Sequence, residues 1–366
     1  MRRQPILAVL AVSCGLSFPG AASAQSEEQD KAGVRAVLSA AVDDFIVPEY
    51  RALQEQARSL QEAVQSLCED PGTAKLDQAR QSFAEAVTVW SRVETVRFGP
   101  ILRQNAAERI YFFPDRRGIG LRQVQGVLAE EDATATDAES LAGKSVALQG
   151  LGTLEFLLFG TGAEVLAEEE GDFRCRFAEA VAERIEVTAA EVTDEWTEPD
   201  GIAARFVDPA SSYADFQTQE DSLRALLGVF TNGLEMIADT RIAPFLGEDV
   251  NSVRPKAAAW WRAGLTGPAI LANLEGLSDL FQRSGMANLL PEENGNLPVE
   301  IAFEFDNAER ALQKVETPLS EAVETAEGRS PLAYLLIVTR SLRSLFAERF
   351  SGAIGLVAGF SSLDGD

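Results

Sequence analysis

The sequence predicts an all-α fold, since apolar residues recur at helical spacing along most of its length and strand-like alternation is scarce. In residues 34–46, apolar side chains fall three or four positions apart, as they do on one face of a helix. Thr317-Pro318 and Ser330-Pro331 are typical helix starts, because the hydroxyl can cap the first turn and proline fits the first helical position. Since helices of globular proteins usually have roughly 8–20 residues, we expect about ten to thirteen helices.

The same periodicity recurs in later segments and gives the order of the longer helices. These amphipathic segments are residues 50–67, 76–93, 173–196, 223–237 and 332–346.

Length and loop composition predict two helical bundles. The chain has 366 residues, more than one hydrophobic core usually organises. The loop at residues 197–212 contains Pro199, Gly201 and Pro209, which are typical of a linker between helices. We therefore expect an N-terminal bundle at residues 25–198, which carries the motif described below, and a C-terminal bundle at residues 199–366.

A repeated order of residues raises the hypothesis of an internal duplication. Trp90 is followed by Gly99-Pro100, and Trp260 is followed by Gly267-Pro268. The order of these residues agrees in the two halves, whereas the spacings that follow them differ.

The amino terminus has the pattern of a secretory signal peptide. Two arginines precede an apolar run at residues 6–12, and Ala22-Ser23-Ala24 supplies the small residues that signal peptidase requires. We expect residues 1–24 to be removed, so that Gln25 becomes the first residue and the protein is periplasmic or otherwise extracytoplasmic. A lipoprotein anchored through Cys14 is the less favoured alternative. No apolar run approaches the roughly 20 residues that span a bilayer, so the chain is not expected to cross the membrane.

The charge of the mature chain argues against nucleic acid as a partner. Residues 25–366 contain 30 Lys and Arg against 57 Asp and Glu, which gives a net charge of −27. Such a field repels phosphate backbones. It favours cations or cationic partners, although most of these charges can be explained by solubility alone.

The sequence contains no histidine, and this excludes several kinds of active site. A zinc ion bound by histidine, a haem ligated by histidine and a Ser-His-Asp triad all require that residue. We therefore expect neither haem nor zinc. Any bound metal would be held by oxygen ligands, which suit hard cations such as calcium, magnesium or ferric iron.

Two cysteines remain in the mature chain, Cys68 and Cys175. An even number of cysteines in an exported protein favours a disulfide bond between them. The alternative is a pair of buried thiols.

Residues 150–160 form a short apolar segment bounded by glycines that contains one carboxylate, Glu155. A carboxylate in apolar surroundings needs compensation of its charge. One interpretation is a structural ion pair with an arginine of another helix, for which Arg97 and Arg109 are the nearest candidates. The other is a pocket carboxylate that binds a cation or a polar ligand.

This segment resembles the signature of the imelysin-like family, Gly-x-His-x-x-Glu followed by an apolar stretch and glycine. Gly150 and Glu155 match the first and last positions, whereas Gly152 occupies the histidine position. Upstream, residues 90–100 resemble the stretch of the family that runs from Trp to Phe-Gly-Pro, and residues 113–115 resemble its Trp-Pro-Asp. The resemblance extends over most of the mature chain.

The resemblance implies two helical bundles with a site between or beside them, an envelope location and an association with iron acquisition. Founding members are described as metallopeptidases with the His and Glu as metal ligands, an activity that transfers poorly because Gly152 has no side chain. We therefore name no catalytic residue, and Glu155 is the sole metal-ligand candidate. The candidate ligand-binding residues are Glu155, Gly152, Gly150, Thr153, Trp90, Glu94, Arg97, Phe98 and Asp115.

Several of these candidates have a simpler structural interpretation. Trp90 can be a core residue, Glu94 and Arg97 can pair with each other one turn apart, and Asp115 can be a surface cap.

Three functions remain open at this point. The favoured one is a non-enzymatic envelope binding protein of the iron-uptake type, with a metal ion, a metal chelate or a partner membrane protein as ligand. The second is a peptidase or other hydrolase that uses carboxylates alone, which needs two acids with separated pKa values. The third is a scaffold whose apparent site is a packed ion pair.

Overall fold

The computed structural model describes residues 20–315 and 317–356, with side chains described from residue 31 onward. It confirms the all-α fold class: these residues form helices joined by turns and short loops, and no strand occurs among them. The predicted leader run at residues 6–12 and the alternative lipid site at Cys14 lie outside the described residues. The predicted first mature residue, Gln25, lies within the first helix.

The described part of the chain contains sixteen α-helices, and ten of them have nine or more residues, which agrees with the expected number. Their bounds are α1 Gly20–Ala41, α2 Val47–Glu69, α3 Thr73–Val93, α4 Ala106–Ile110, α5 Ile119–Glu130, α6 Ala138–Ala142, α7 Leu151–Phe159, α8 Asp172–Thr197, α9 Ile202–Val207, α10 Gln219–Glu235, α11 Ala243–Leu246, α12 Thr266–Arg283, α13 Leu297–Gln313, α14 Leu319–Ala322, α15 Ala326–Ser344 and α16 Ser351–Ala353.

Shorter helical segments connect these elements. Three are π-helical, Val42–Ile46, Met236–Ile242 and Leu345–Phe350, and each continues an α-helix. The 3₁₀ segments are Gly99–Asn105, Ala133–Ala135, Val146–Leu148, Ala163–Ala167, Glu169–Gly171, Pro255–Ala257, Met286–Leu289 and Glu292–Asn294.

The long helices pack in two groups that meet at several places. In the first half α2 packs against both α3 and α8, and in the second half α15 packs against α10 and α13. The most extensive of these contacts is the crossing of α3 and α12. It is close, because a Cβ atom at Gly276 would lie 2.2 Å from the carbonyl oxygen of Arg92. Only glycine therefore allows this approach of the two helices. The division of the chain into two bundles at residue 198 stays a prediction.

The residues that suggested a duplication lie on different kinds of element. Trp90 is in the last turns of α3, whereas Trp260 is in a turn before α12 with a φ of 59°. Gly99-Pro100 follows α3, whereas Gly267-Pro268 lies in the first turn of α12. The duplication therefore remains a hypothesis without support from these positions.

The predicted disulfide is confirmed. Cys68 in the last turn of α2 is bonded to Cys175 in the first turn of α8, with their Cα atoms 5.5 Å apart. The bond joins two helices that also pack along their lengths. Within residues 20–315 and 317–356, no helix combines the length and apolar composition that a bilayer crossing needs.

We expect the double substitution Cys68→Ser and Cys175→Ser to lower the free energy of unfolding by about 2–4 kcal/mol, because the bond closes a long loop in the unfolded chain. Urea unfolding of the oxidised wild type, the reduced wild type and the variant measures this, and reduction should reproduce the effect of the substitutions. Thiol labelling of mature protein in denaturant without reductant should find no free thiol. Two reactive thiols would contradict the bond.

Candidate functional site

A cavity of about 740 Å³ lies between the start of α5, the first half of α7 and the segment that leads into α12. Its lining comes from residues 111–156 and from residues 239–262, on both sides of the predicted bundle boundary. The volume is in the range of small-molecule sites.

Stacked aromatic rings form one wall of the cavity. The ring centroids of Tyr111 and Trp260 are 3.7 Å apart, and Phe113 stacks on Tyr111 at 5.4 Å. Burial raises the pKa of Tyr111 well above its usual value, an effect that the nearby Arg241 guanidinium only partly opposes. The Tyr111 hydroxyl is therefore neutral at physiological pH, and this wall carries no charge of its own.

Arg241 supports the aromatic wall from behind. Its guanidinium lies 4.6 Å from the ring centroid of Phe113 and 5.2 Å from that of Tyr111. Arg241 Nη2 also donates to Glu94 Oε2 at 2.5 Å, and both side chains are almost fully buried, with 4% and 1% exposed. Asn273 on α12 donates to the other oxygen of Glu94 at 2.9 Å. This buried group joins α3, α12 and the π-helical segment that contains Arg241.

Glu155 connects α7 to the turn at residues 259–264, which we call the Trp260 turn. Its Oε1 accepts the backbone N–H of Arg262 at 3.0 Å and that of Ala263 at 3.2 Å. Its Oε2 lies 3.7 Å from the Arg262 guanidinium. Glu155 is 4% exposed, and burial raises its pKa, while the Arg262 charge and the two N–H groups act in the opposite direction.

The arginine that faces Glu155 is not one of the two proposed from the sequence. Arg97 donates to the backbone oxygen of Glu94 at 2.7 Å, and Arg109 pairs with Glu191 at 3.0 Å. The prediction of Arg97 or Arg109 was therefore wrong. Arg262 takes this position from a turn, not from a neighbouring helix, and two backbone N–H groups of the same turn add to the compensation by its charge.

The glycines of the motif have different roles. A Cβ atom at Gly150 would lie 2.4 Å from the carbonyl oxygen of Ile110, so Gly150 permits the close packing of α7 on the end of α4. At Gly152 a Cβ atom would meet the Tyr111 ring at 3.6 Å, an ordinary contact. Gly152 lines the cavity and leaves it open at that point. Thr153 also lines it, but its hydroxyl donates to the oxygen of Ala147.

Asp115 lies at the edge of the cavity and caps α5. Its carboxylate accepts the N–H groups of Ile119 at 2.7 Å and Gly120 at 2.9 Å. This is the capping role that the sequence allowed, and it engages both carboxylate oxygens.

Four residues of the upstream motif do not line the cavity. Trp90 is fully buried, and Phe98 packs among Trp196, Phe206 and Phe216. The side chains of Glu94 and Arg97 do not pair with each other, contrary to the simpler interpretation, because Glu94 bonds to Arg241 instead. These four residues therefore lie away from the candidate site, Trp90 and Glu94 in the core and Arg97 and Phe98 half-buried.

Residues 46–345 match the family model for imelysin, peptidase M75. The chain belongs to the imelysin family.

Two solved structures share its fold. An imelysin-like protein from Psychrobacter arcticum aligns with a TM-score of 0.74 at 18% identity, over 90% of this chain and 98% of that protein. A protein described as an iron-regulated protein A precursor, from Parabacteroides distasonis, aligns with a TM-score of 0.70 at 15% identity, over 86% and 95% of the two chains.

A curated relative matches a shorter stretch. Iron-regulated protein A of Synechococcus elongatus is 27% identical over 130 residues, which are 35% of this chain. The match spans 33% of that relative's own length.

Among the described residues, the imelysin signature of this chain is not part of a complete set of metal ligands. No group of three or more Cys, Asp or Glu is placed to hold an ion within the described ranges. Glu155, the metal candidate from the sequence, already accepts two hydrogen bonds through one oxygen. Gly152, in the place of the family histidine, contributes no ligand atom.

Sequence reasoning missed the second half of the lining, which includes Arg254, Lys256, Trp261 and Arg262. A signal was present, because basic and aromatic residues are concentrated in the short segment from 254 to 262. Its separation from Glu155 by about a hundred residues gave no reason to link the two segments.

We expect Glu155→Ala to cost about 1–3 kcal/mol for each N–H of the Trp260 turn that loses its acceptor without reaching water. Glu155→Gln keeps an acceptor oxygen and removes only the charge opposite a partly exposed Arg262, so its cost should be near 1 kcal/mol, about that of a surface pair. Urea unfolding of the three proteins tests this. Equal stability of wild type and Glu155→Ala would contradict a structural role.

The pH dependence of the free energy of unfolding gives a second test of the role of Glu155. Because the folded-state pKa of Glu155 is raised by burial, the folded protein binds this proton more tightly than the unfolded chain does. The contribution of Glu155 to stability therefore increases as pH falls through its folded pKa, and it decreases as pH rises. The stability of wild type relative to Glu155→Gln should shift in favour of wild type on acidification. A shift in the opposite direction would contradict the desolvation of Glu155.

Proposed function

We propose that this imelysin-family protein is an exported, non-enzymatic binding protein for iron handling in the cell envelope, and that its ligand occupies the cavity beside α7. The observation that carries the proposal is an open cavity whose three lining carboxylates are already engaged. Asp115 caps α5, Glu155 holds the Trp260 turn, and Asp239 pairs with Arg340 at 2.7 Å. A cavity whose acids are already engaged favours binding over acid–base chemistry.

The names of related proteins support the association with iron. One relative is called iron-regulated protein A, and one structural neighbour is described as a precursor of such a protein. Export is supported by the leader pattern before Gln25, by the word precursor in that description and by the Cys68–Cys175 bond, because disulfides persist in oxidising compartments. We propose further that the ligand is a metal ion or a metal chelate and that the protein acts together with a partner protein of the envelope.

A hydrolase is the second candidate, and the raised pKa of Glu155 is the observation in its favour. A carboxylate-only hydrolase needs a second acid that shares the reacting group. Asp115 and Asp239 are the other lining acids, and each already has its own partner. The binding function is therefore the better supported of the two.

The proposal is tested by closing the cavity at Gly152. A phenyl ring in Gly152→Phe would fill space beside Tyr111, whereas Gly152→Ala adds one methyl group at ordinary contact distance and is the matched control. We expect ferric citrate or another iron compound to raise the melting temperature of wild type and Gly152→Ala but not that of Gly152→Phe. Casein and insulin-chain cleavage should stay at background for all three proteins.

Two results would contradict the proposed function. A melting shift that survives in Gly152→Phe would place the ligand outside this cavity. Proteolysis that co-purifies with the protein and disappears in Gly152→Phe would instead support the hydrolase.

A further inference from the structure

The net charge of the side chains that line the cavity is positive, opposite in sign to the net charge of the whole chain. The full sequence has a net charge of −25, but four basic residues line this one cavity, Arg116, Arg254, Lys256 and Arg262. A chain so rich in acids would be expected to surround a cation site with carboxylates. The concentration of basic residues in this lining instead points to a ligand of negative charge.

Most of these basic groups are free to meet a ligand. The side chains of Arg116 and Arg254 are exposed and make no ion pair within the described part of the chain. Lys256 is also exposed, and its ammonium lies 5.4 Å from the ring centroid of Trp261. Of the four, only Arg262 faces a carboxylate, that of Glu155 at 3.7 Å.

The three lining acids offset the four basic charges only in part. Asp115 accepts from N–H groups of α5, Glu155 accepts from those of the Trp260 turn, and Asp239 is paired with Arg340. Arg340 is itself outside the lining, so its charge neutralises Asp239 without occupying the cavity. The charges left to act on a bound molecule are therefore predominantly positive.

The inner surface adds an apolar and aromatic component. Arg262 lies 4.5 Å from the ring centroid of Trp261 and 5.5 Å from that of Phe156, and these rings line the cavity together with Tyr111. Guanidinium groups stacked on rings keep their in-plane N–H groups available for carboxylate or phenolate oxygens. The site can thus contact both charged oxygens and a flat apolar body.

We propose that the cavity binds a small anionic molecule through Arg116, Arg254, Lys256 and Arg262, either as a free oxyanion or as its negatively charged iron chelate. The proposal rests on the proposed function, for which it names the ligand class. It disfavours a bare cation, because the free charges of the lining would repel one. It also disfavours a polymeric anion, because the acidic surface of the chain would repel its remaining charges.

The test compares ligands of different charge by isothermal titration calorimetry. The probes are ferric citrate and citrate alone, which are anionic, a neutral ferric hydroxamate chelate, and ferrous ion. The variant Arg254→Glu/Lys256→Glu reverses two free charges of the lining. The matched control, Arg51→Glu/Arg58→Glu, makes the same change in net charge at exposed positions of α2 that are not in the lining.

We expect ferric citrate or citrate to bind, with an affinity that falls as ionic strength rises. Reversal of the two lining charges should weaken binding by about tenfold or more, whereas the control should remain close to wild type. Binding of citrate without iron would indicate that the ligand is the free oxyanion. Binding of the ferric complex only would indicate the chelate.

Other outcomes would overturn the inference. Binding of ferrous ion or the neutral chelate in preference to both anionic probes would contradict the ligand class. If that binding is lost in Gly152→Phe, the cavity still holds a ligand and the proposed function survives while this inference fails. An equal loss of affinity in both charge-reversal variants would assign the effect to net charge and not to the lining. If neither ferric citrate nor citrate binds, the proposal of an anionic ligand is also refuted.

Discussion

The hydrogen bonds from the backbone of Arg262 and Ala263 to Glu155 are the constraint on which the geometry of the cavity depends. They hold the Trp260 turn against α7 across a separation of more than a hundred residues. The turn includes a non-glycine residue at positive φ, Trp260 at 59°, a conformation that persists only when the surroundings enforce it. Stacking on Tyr111 and the bonds to Glu155 supply that enforcement.

The same constraint explains why one acidic residue can be buried in the apolar segment of α7. Two N–H groups and a nearby guanidinium compensate its charge, and in return Glu155 fixes the backbone that carries Trp261 and Arg262. Behind this wall, the buried pair of Glu94 and Arg241 fastens α3 to the segment that precedes the turn. The cavity is therefore held by charged groups on two sides, although neither pair is free to react.

The sequence predicted the features that depend on local pattern or on composition. Helical periodicity located the long helices because one face of each must be buried. An even count of cysteines after the predicted leader was enough to predict the Cys68–Cys175 bond. The burial of Glu155 followed from its apolar neighbours, but the identity of its partner did not, because Arg262 lies in a turn whose place is set by tertiary packing. For the same reason, the motif residues Trp90 and Phe98 pointed to the fold of the family and not to the lining of the site.

We therefore assign a supporting role to the signature carboxylate and a recognition role to the basic residues around it. Hydrogen exchange of the backbone amides in the Trp260 turn tests this assignment most directly. In wild type the amides of Arg262 and Ala263 should be protected, and in Glu155→Ala they should exchange faster together with their turn, while the helices around the disulfide keep their protection. Unchanged protection of these two amides in Glu155→Ala would contradict the central claim that Glu155 holds the turn.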